Sequence, residues 1–347
     1  MRPLTPLRPI ATRPATSAPA PATLPVLPAR PAMPSTMPAT TLPAMTLLTS
    51  SRPAASAPST SAPAASRPAA TLPAASRPAT NLPASLPAAS SREGRRAGQL
   101  YTEGLALLPQ DSLVDARAML SAALASGALS EATAADCRAR LTEIAQKVVF
   151  SREIYPNDPY AYRYVVKPGD VIIHIVRREK LYVPDQGIQR INRIADPRKM
   201  RAGQWLKLVR GPFDAIVTRK TYTLDLYHHG MFVKSYRIGL GQDGRTPVGK
   251  WVVRARVSQA PWTTSDGSRI IYYGQEGYPL GRGGCWISLA SADPNTEDLP
   301  GFGIHGTNEP DSIGRDASLG CIRLLDDDIE ELFGLLYDGM SKVEIRP

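Results

Sequence analysis

Cysteine and histidine are scarce in this chain, with three of the first and four of the second among 347 residues. Cys137, Cys285 and Cys321 are an odd number and no C-x-x-C spacing joins them, which argues against a disulfide framework and against a cysteine zinc site. A single Cys285–Cys321 pairing stays open, and it would silence both thiols. His228 and His229 read as turn residues and His174 as a helix-surface residue. None of these has acidic or Cys partners at metal-ligand spacing, so no metal and no cofactor is expected. No apolar run approaches the length that crosses a bilayer, so no stable membrane insertion is expected. A secretory leader is not evident either: a charge follows Met1, but prolines interrupt every candidate apolar region.

Acidic residues are missing from residues 1–91, which instead hold 20 of the 34 prolines. A stretch built from Pro, Ala, Ser, Thr, Leu and Arg cannot bury enough apolar area to offset its ordering entropy and reads as a disordered tail. Pro53, Pro58, Pro63, Pro68, Pro73, Pro78 and Pro83 recur every five residues. Such chains favour the extended polyproline form, so the tail reads as filler or as a spacer reaching up to roughly 280 Å. Seven arginines lie in it, leaving only +3 of the formal net charge of +10 for the remainder. That balance gives no basic face for nucleic acid. A basic tail suits an anionic cell envelope better.

Residues 92–153 read as a helical region. Ser112 followed by Asp115 suits a helix start. Ala116, Leu120, Ala123 and Leu124 form one apolar stripe that Gly127 can end, and Leu141, Ile144, Ala145 and Val148 form another. These short, Ala-rich helices resemble a tetratricopeptide-like hairpin, with packing or partner docking as the expected role. Residues 160–210 are a separate unit. A strand runs into the turn Lys167-Pro168-Gly169-Asp170, helical patterns follow from Val171 and around Asn192, and Gly203-Gln204-Trp205-Leu206 opens a closing strand. This β-α-α-β order, with that turn and Asn192, resembles the LysM module. The resemblance implies binding to glycan chains containing N-acetylglucosamine, or else a packing unit that positions the next domain. Val171 stands where the module usually has Thr, and the stretch Tyr182–Gly187 is long for it.

Residues 211–347 alternate like strands at 215–217, 222–226 and 232–238, with His229-Gly230 as a hairpin turn. Further strands are expected at 249–256, 269–273, 286–288, 303–305 and 342–345. A helix is expected from Asp326-Asp327-Asp328 through Leu336, where carboxylates favour its N-terminal dipole. Cys321 lies sixteen positions after His305. Gly320 lets the backbone at Cys321 approach a substrate, and the Gly320 and Cys321 amides can face a developing oxyanion. A lone cysteine is otherwise a small buried hydrophobe. A thiol nucleophile needs an imidazole to accept its proton and return it to the leaving group, and His305 is placed for that. The Gly281-Arg282-Gly283-Gly284-Cys285-Trp286 run reads as a flexible lid edge. Tyr272 and Tyr273, just before it, read as cleft lining or strand packing.

Separated blocks here resemble the YkuD-type L,D-transpeptidases. They are Thr246-Pro247-Val248-Gly249, Tyr278-Pro279-Leu280-Gly281 followed by Trp286-Ile287, His305-Gly306-Thr307, Ser318-x-Gly320-Cys321-x-Arg323, and the closing stretch from Gly339 to Ile345. Leu319 departs from the family's frequent His at that place. The resemblance implies a mainly β catalytic domain, a YkuD-like β-sandwich with a short helix. In it Cys321 is nucleophile and His305 its base, oriented by the Gly306 carbonyl, while Gly320 and Cys321 form the oxyanion hole. Ser318, Arg323, Tyr273 and Trp286 meet substrate. The implied partners are peptidoglycan stem peptides and glycan chains in the cell envelope. The implied reaction is attack on the third residue of a tetrapeptide stem, loss of D-Ala and a 3–3 cross-link, with carbapenems acylating Cys321. An L,D-carboxypeptidase with water as acceptor and a non-catalytic wall-binding protein remain as alternatives. The oligomeric state stays open.

Overall fold

The computed structural model describes residues 91–347 except 265, 294–298 and 300, so the tail expected over 1–91 lies, up to residue 90, outside the described residues. Three helices come first: α1 (Arg92–Leu107), α2 (Leu113–Ala125) and α3 (Glu131–Val148). Ser91 Oγ accepts from the Gly94 amide at 2.9 Å and Ser130 Oγ from the Thr133 amide at 3.2 Å, satisfying first-turn donors. Ser112 is the N-cap of α2, where a helix start is expected, and makes no side-chain cap hydrogen bond. Gly127, at φ +66°, carries the chain away from α2. Leu120, Leu141, Ile144 and Val148 are buried in one cluster with Phe232 of the large sheet, so the helices cover that sheet.

Strand β1 (Ala161–Val165), helices α4 (Ile172–Arg178) and α5 (Asp185–Ile191) and strand β2 (Trp205–Val209) follow, with β1 and β2 antiparallel. Asp170 closes the turn after β1. Its carboxylate accepts from the Lys167 amide at 2.9 Å and the Tyr164 hydroxyl at 2.6 Å, and Arg178 pairs with it. Led by the Tyr164 hydrogen bond, these contacts hold Asp170 down at about 2. Asn192 is buried. Its amide nitrogen donates to the Ile188 and Lys207 carbonyls, and its oxygen accepts from the Lys207 amide at 2.7 Å. Lys207 itself is fully buried, and its ammonium donates to the carbonyls of Val148, Ser151 and Glu153 at 2.6, 3.1 and 2.7 Å. A cation at the end of α3 complements the helix dipole there, and it stitches β2 to the helical region.

The remaining strands are β3 (Phe213–Thr218), β4 (Thr223–His228), β5 (Met231–Arg237), β6 (Leu240–Gly241), β7 (Gly249–Val257), β8 (Trp262–Thr263), β9 (Ile270–Ile271), β10 (Trp286–Ser291), β11 (Gly303–Gly306), β12 (Asp316–Ser318) and β13 (Ile322–Leu324). Helix α6 (Asp326–Phe333) and strand β14 (Lys342–Arg346) complete the chain. Eight strands form one mixed sheet in the order β13-β11-β10-β7-β14-β3-β4-β5, and β6–β12 and β8–β9 are small separate pairs. This is a mainly β domain. The β4–β5 hairpin turns through His229 and Gly230, both at positive φ, which matches the right-handed strand twist. His228 is not a turn residue as expected. It closes β4, buried and stacked on Phe213 at 4.4 Å, and hydrogen-bonds the Arg210 carbonyl at 2.7 Å. Burial drives its imidazole down to about 3. Helix α6 stops short of Leu336: the Gly334 amide caps it through the Glu330 and Glu331 carbonyls, and Leu335 and Leu336 turn into the core. Strand β9 is likewise only two residues long.

The long stretch 182–187 is a docking surface. Tyr182 meets Tyr337 edge-on at 5.9 Å, and Arg190 pairs with Glu331 at 3.4 Å. A Cβ on Gly187 would stand 1.9 Å from the Gly334 carbonyl oxygen. One apolar core runs from Ala145 and Val149 through the β1–β2 unit to the large sheet.

Candidate active site

The register of the parallel β11–β13 pair brings His305 and Cys321 to one face. Ile304 is opposite Ile322 and His305 opposite Arg323, so Cys321, just before β13, follows the Gly303 position diagonal to His305. The turn holding Cys321 is built by three groups. Ser318 Oγ donates to the Cys321 carbonyl at 2.6 Å and accepts from the Gly320 amide at 3.1 Å. Thr246 Oγ1 donates to the Gly320 carbonyl at 2.7 Å and accepts from the Gly241 amide at 2.8 Å. Gly320 sits at φ +145°, and a Cβ on Gly241 would come within 2.6 Å of its Cα. Two backbones therefore touch where only glycines fit. Thr246 belongs to a block that sequence comparison picks out, but its grip on residue 320, across 74 positions, is visible only in the fold.

His305 is buried, and its Nδ1 lies 2.6 Å from the Gly306 carbonyl oxygen. A carbonyl only accepts, so Nδ1 carries the proton and Nε2 is the basic nitrogen. Gly306 has no room for a side chain, because a Cβ would meet the Leu280 carbonyl at 2.7 Å. Burial, joined by the positive charge of Arg323, lowers His305 to about 4. Burial also pushes the Cys321 thiol up to about 11, against the opposing pull of the Gly303 amide and Arg323. Burial thus favours the uncharged form of each group, a thiol at Cys321 and an imidazole at His305. Cys321 Sγ contacts the Gly301 carbonyl at 3.4 Å.

Trp286 does not stand clear as a free substrate surface. Its ring stacks on His305 at 5.3 Å and 11°, and Trp262 stands 5.9 Å from the same imidazole. Ser318 is buried and committed to the Cys321 turn. Arg323 pairs with Glu309 at 2.6 Å. Tyr273 is exposed, but its hydroxyl donates to the Arg282 carbonyl at 2.8 Å and its ring meets Tyr278, so its partners lie in the 278–284 loop. That loop is pinned rather than loose. The Arg282 amide donates to Asp326 at 2.9 Å, and its guanidinium pairs with Asp327 and Glu330 at 2.6 and 3.2 Å. Cys285 and Cys321 are both free thiols. Trp286 is paired with His305 across β10 and β11, so Cys285, one residue earlier, points to the opposite face from the imidazole and from Cys321. Burial, Glu330 and Asp326 push the Cys285 thiol up to about 11. No cluster of metal-ligating side chains occurs among the described residues, and no described helix is long and apolar enough to cross a membrane.

Residues 213–345 match the YkuD family, the L,D-transpeptidase catalytic domain. The chain is 30% identical over 191 residues to the putative L,D-transpeptidase YkuD of Bacillus licheniformis, covering 53% of this chain and 98% of that protein. It is 36% identical over 110 residues to the probable L,D-transpeptidase ErfK/SrfK of Escherichia coli, covering 29% of this chain and 33% of that one. L,D-transpeptidase 3 from Mycobacterium tuberculosis aligns over 54% of this chain and 93% of its own, at 13% identity and a TM-score of 0.32. The match defines an enzyme, an L,D-transpeptidase. The chain belongs to the YkuD family, and the assignment rests on the 213–345 match and the near full-length coverage of the Bacillus licheniformis protein.

Proposed function

We propose that this L,D-transpeptidase works through a thioester on Cys321, with His305 as the acid–base group and a peptidoglycan tetrapeptide stem as acyl donor. The observation that carries the reading is the His305 Nδ1–Gly306 carbonyl bond of 2.6 Å, which leaves Nε2 as the basic nitrogen on the face shared with Cys321. Sγ attacks the carbonyl of the third stem residue as its proton passes to Nε2. The tetrahedral oxyanion is met by the Cys321 amide; the Gly320 amide is engaged by Ser318 and joins only if that bond yields. Collapse breaks the bond to D-Ala, whose amine leaves with the proton from His305. A side-chain amine of a second stem then attacks the thioester, His305 takes its proton, and Cys321 departs as the thiol, leaving a 3–3 cross-link.

Within the same proposal, Arg323 and the exposed Leu319 and Tyr273 border the donor path, and carbapenems acylate Cys321. The 160–210 unit is a LysM-like glycan-binding domain, the 92–153 helices a tetratricopeptide-like packing region, and the tail a spacer in the cell envelope. Mass spectrometry of the full chain after carbapenem exposure tests the chemistry. One covalent adduct on wild type and none on Cys321→Ala supports it, and equal labelling of both sinks it. Hydrolysis of the stem without transfer to an amine would favour the carboxypeptidase alternative.

A further inference from the structure

His305 must become an imidazolium while the proton of Cys321 is in transit, yet its surroundings offer little to hold that charge. Its Nδ1 meets a neutral carbonyl, and among the described residues no carboxylate pairs with it. The charged neighbour that acts on it, Arg323, is itself positive and disfavours a second cation. What does surround the ring is indole. Trp286 lies parallel to it at 5.3 Å and 11°, and Trp262 stands at 5.9 Å and 54°. The two indoles also meet each other at 6.3 Å. Both distances fall within the range over which an aromatic face attracts a cation.

The indoles are held from different parts of the fold. Trp286 opens β10 and is paired with His305 in the sheet register. A Cβ on Gly303, the residue whose amide faces Cys321, would come within 3.1 Å of the Trp286 ring. Trp262 belongs to the small β8–β9 pair, outside the large sheet.

We propose that Trp286, assisted by Trp262, is a positioning residue that fixes the plane of the His305 imidazole and supports its imidazolium form, the part a carboxylate plays in a Ser-His-Asp triad. The assignment rests on the reading of His305 as the base for Cys321. A flat, polarisable face supports a cation without accepting its proton, so Nε2 remains the proton carrier throughout.

The test compares Trp286→Phe, Trp286→Leu and Trp262→Leu in the full chain, with Cys321→Ala and His305→Gln as controls. Two quantities are read: the rate of Cys321 acylation by a carbapenem across pH, and the titration of the His305 ring by NMR. Leu at 286 is expected to slow acylation about tenfold and to lower the His305 titration point, Phe to keep the rate within about threefold, and Trp262→Leu to slow it by about threefold. An unchanged His305 titration in Trp286→Leu overturns the proposal, as does acylation at the wild-type rate. Should Trp286→Leu not fold, Trp262→Leu decides: its substitution lies in the small hairpin, and an unmoved titration there overturns the proposal. Labelling of Cys321→Ala would instead overturn the catalytic reading on which the proposal stands, whatever the tryptophan variants do.

Discussion

At the scale of single residues, burial favours the uncharged form of both Cys321 and His305. With the Cys321 thiol up at about 11 and His305 down at about 4, the proton transfer of the proposed mechanism would await a bound acyl donor. Alkylation by iodoacetamide, which reads the thiolate, is therefore expected to speed up about tenfold per pH unit from 7 toward 10. A plateau beginning near pH 6 would instead mark a preformed thiolate–imidazolium pair. Thr246→Val removes the clamp on the Gly320 carbonyl and leaves the Gly241 amide without its acceptor. The expected cost is about 1–3 kcal/mol of stability, with a larger fractional loss in Cys321 acylation than in folding, measured by denaturant melts beside adduct kinetics. His305, Cys321 and the glycines around them stood out in sequence as candidates because few residue types perform thiol chemistry, and the fold sets them on one face of the β11–β13 pair. The commitments of Ser318 and Trp286 were not, since a hydroxyl or an indole looks alike whether it meets a substrate or a neighbouring side chain.

At the scale of elements, alternation exposed most of the large sheet, including the hairpin through His229 and Gly230, because one face of those strands is buried. Strands β6, β12 and β13 were too short to show a period, yet β13 sets the register of Cys321. The Gly-rich run before Trp286 looked mobile from composition, and only the fold places Arg282 against the acidic start of α6. The α5–α6 contact is similarly silent in sequence. Gly187→Ala would drive a methyl into the Gly334 carbonyl. It is expected to destabilise the protein by about 1–3 kcal/mol, and a melting temperature equal to wild type would show that the two helices do not bear on each other.

At the scale of the whole molecule, pattern divides the described residues into three units in a row, and their side chains pack across the divisions: Ala145 and Val149 share a core with the β1–β2 unit and the large sheet, and Phe232 of that sheet lies in a second core with the helices. Removing residues 1–154 would strip the helices from Phe232 and take all three carbonyls, those of Val148, Ser151 and Glu153, from the buried Lys207 ammonium. The shortened chain is expected to melt well below the 91–347 fragment in calorimetry, and equal melting would refute the shared core. Acid acts on the same body. His228 and His305 have folded values of about 3 and 4, below the ordinary imidazole value. Their stabilisation is complete above about pH 6.5 and is lost as pH falls from there toward 4 and then 3, at up to ~1.4 kcal/mol per unit for each. Denaturant melts at pH 7, 6 and 5 should show that decline, and a flat profile would contradict it.

The paired glycines 187 and 334 carry one more implication. Where the two backbones meet there is no side chain to rotate aside, so the β1–β2 unit and the end of α6 meet backbone to backbone, with no room for a bulkier residue at position 187. If that unit grips a glycan strand as proposed, this contact would tie the strand's offset from Cys321 to the fold itself. The spacing between successive reaction points would then be set by the protein like the throw of a loom, and not by how far a linker happens to stretch.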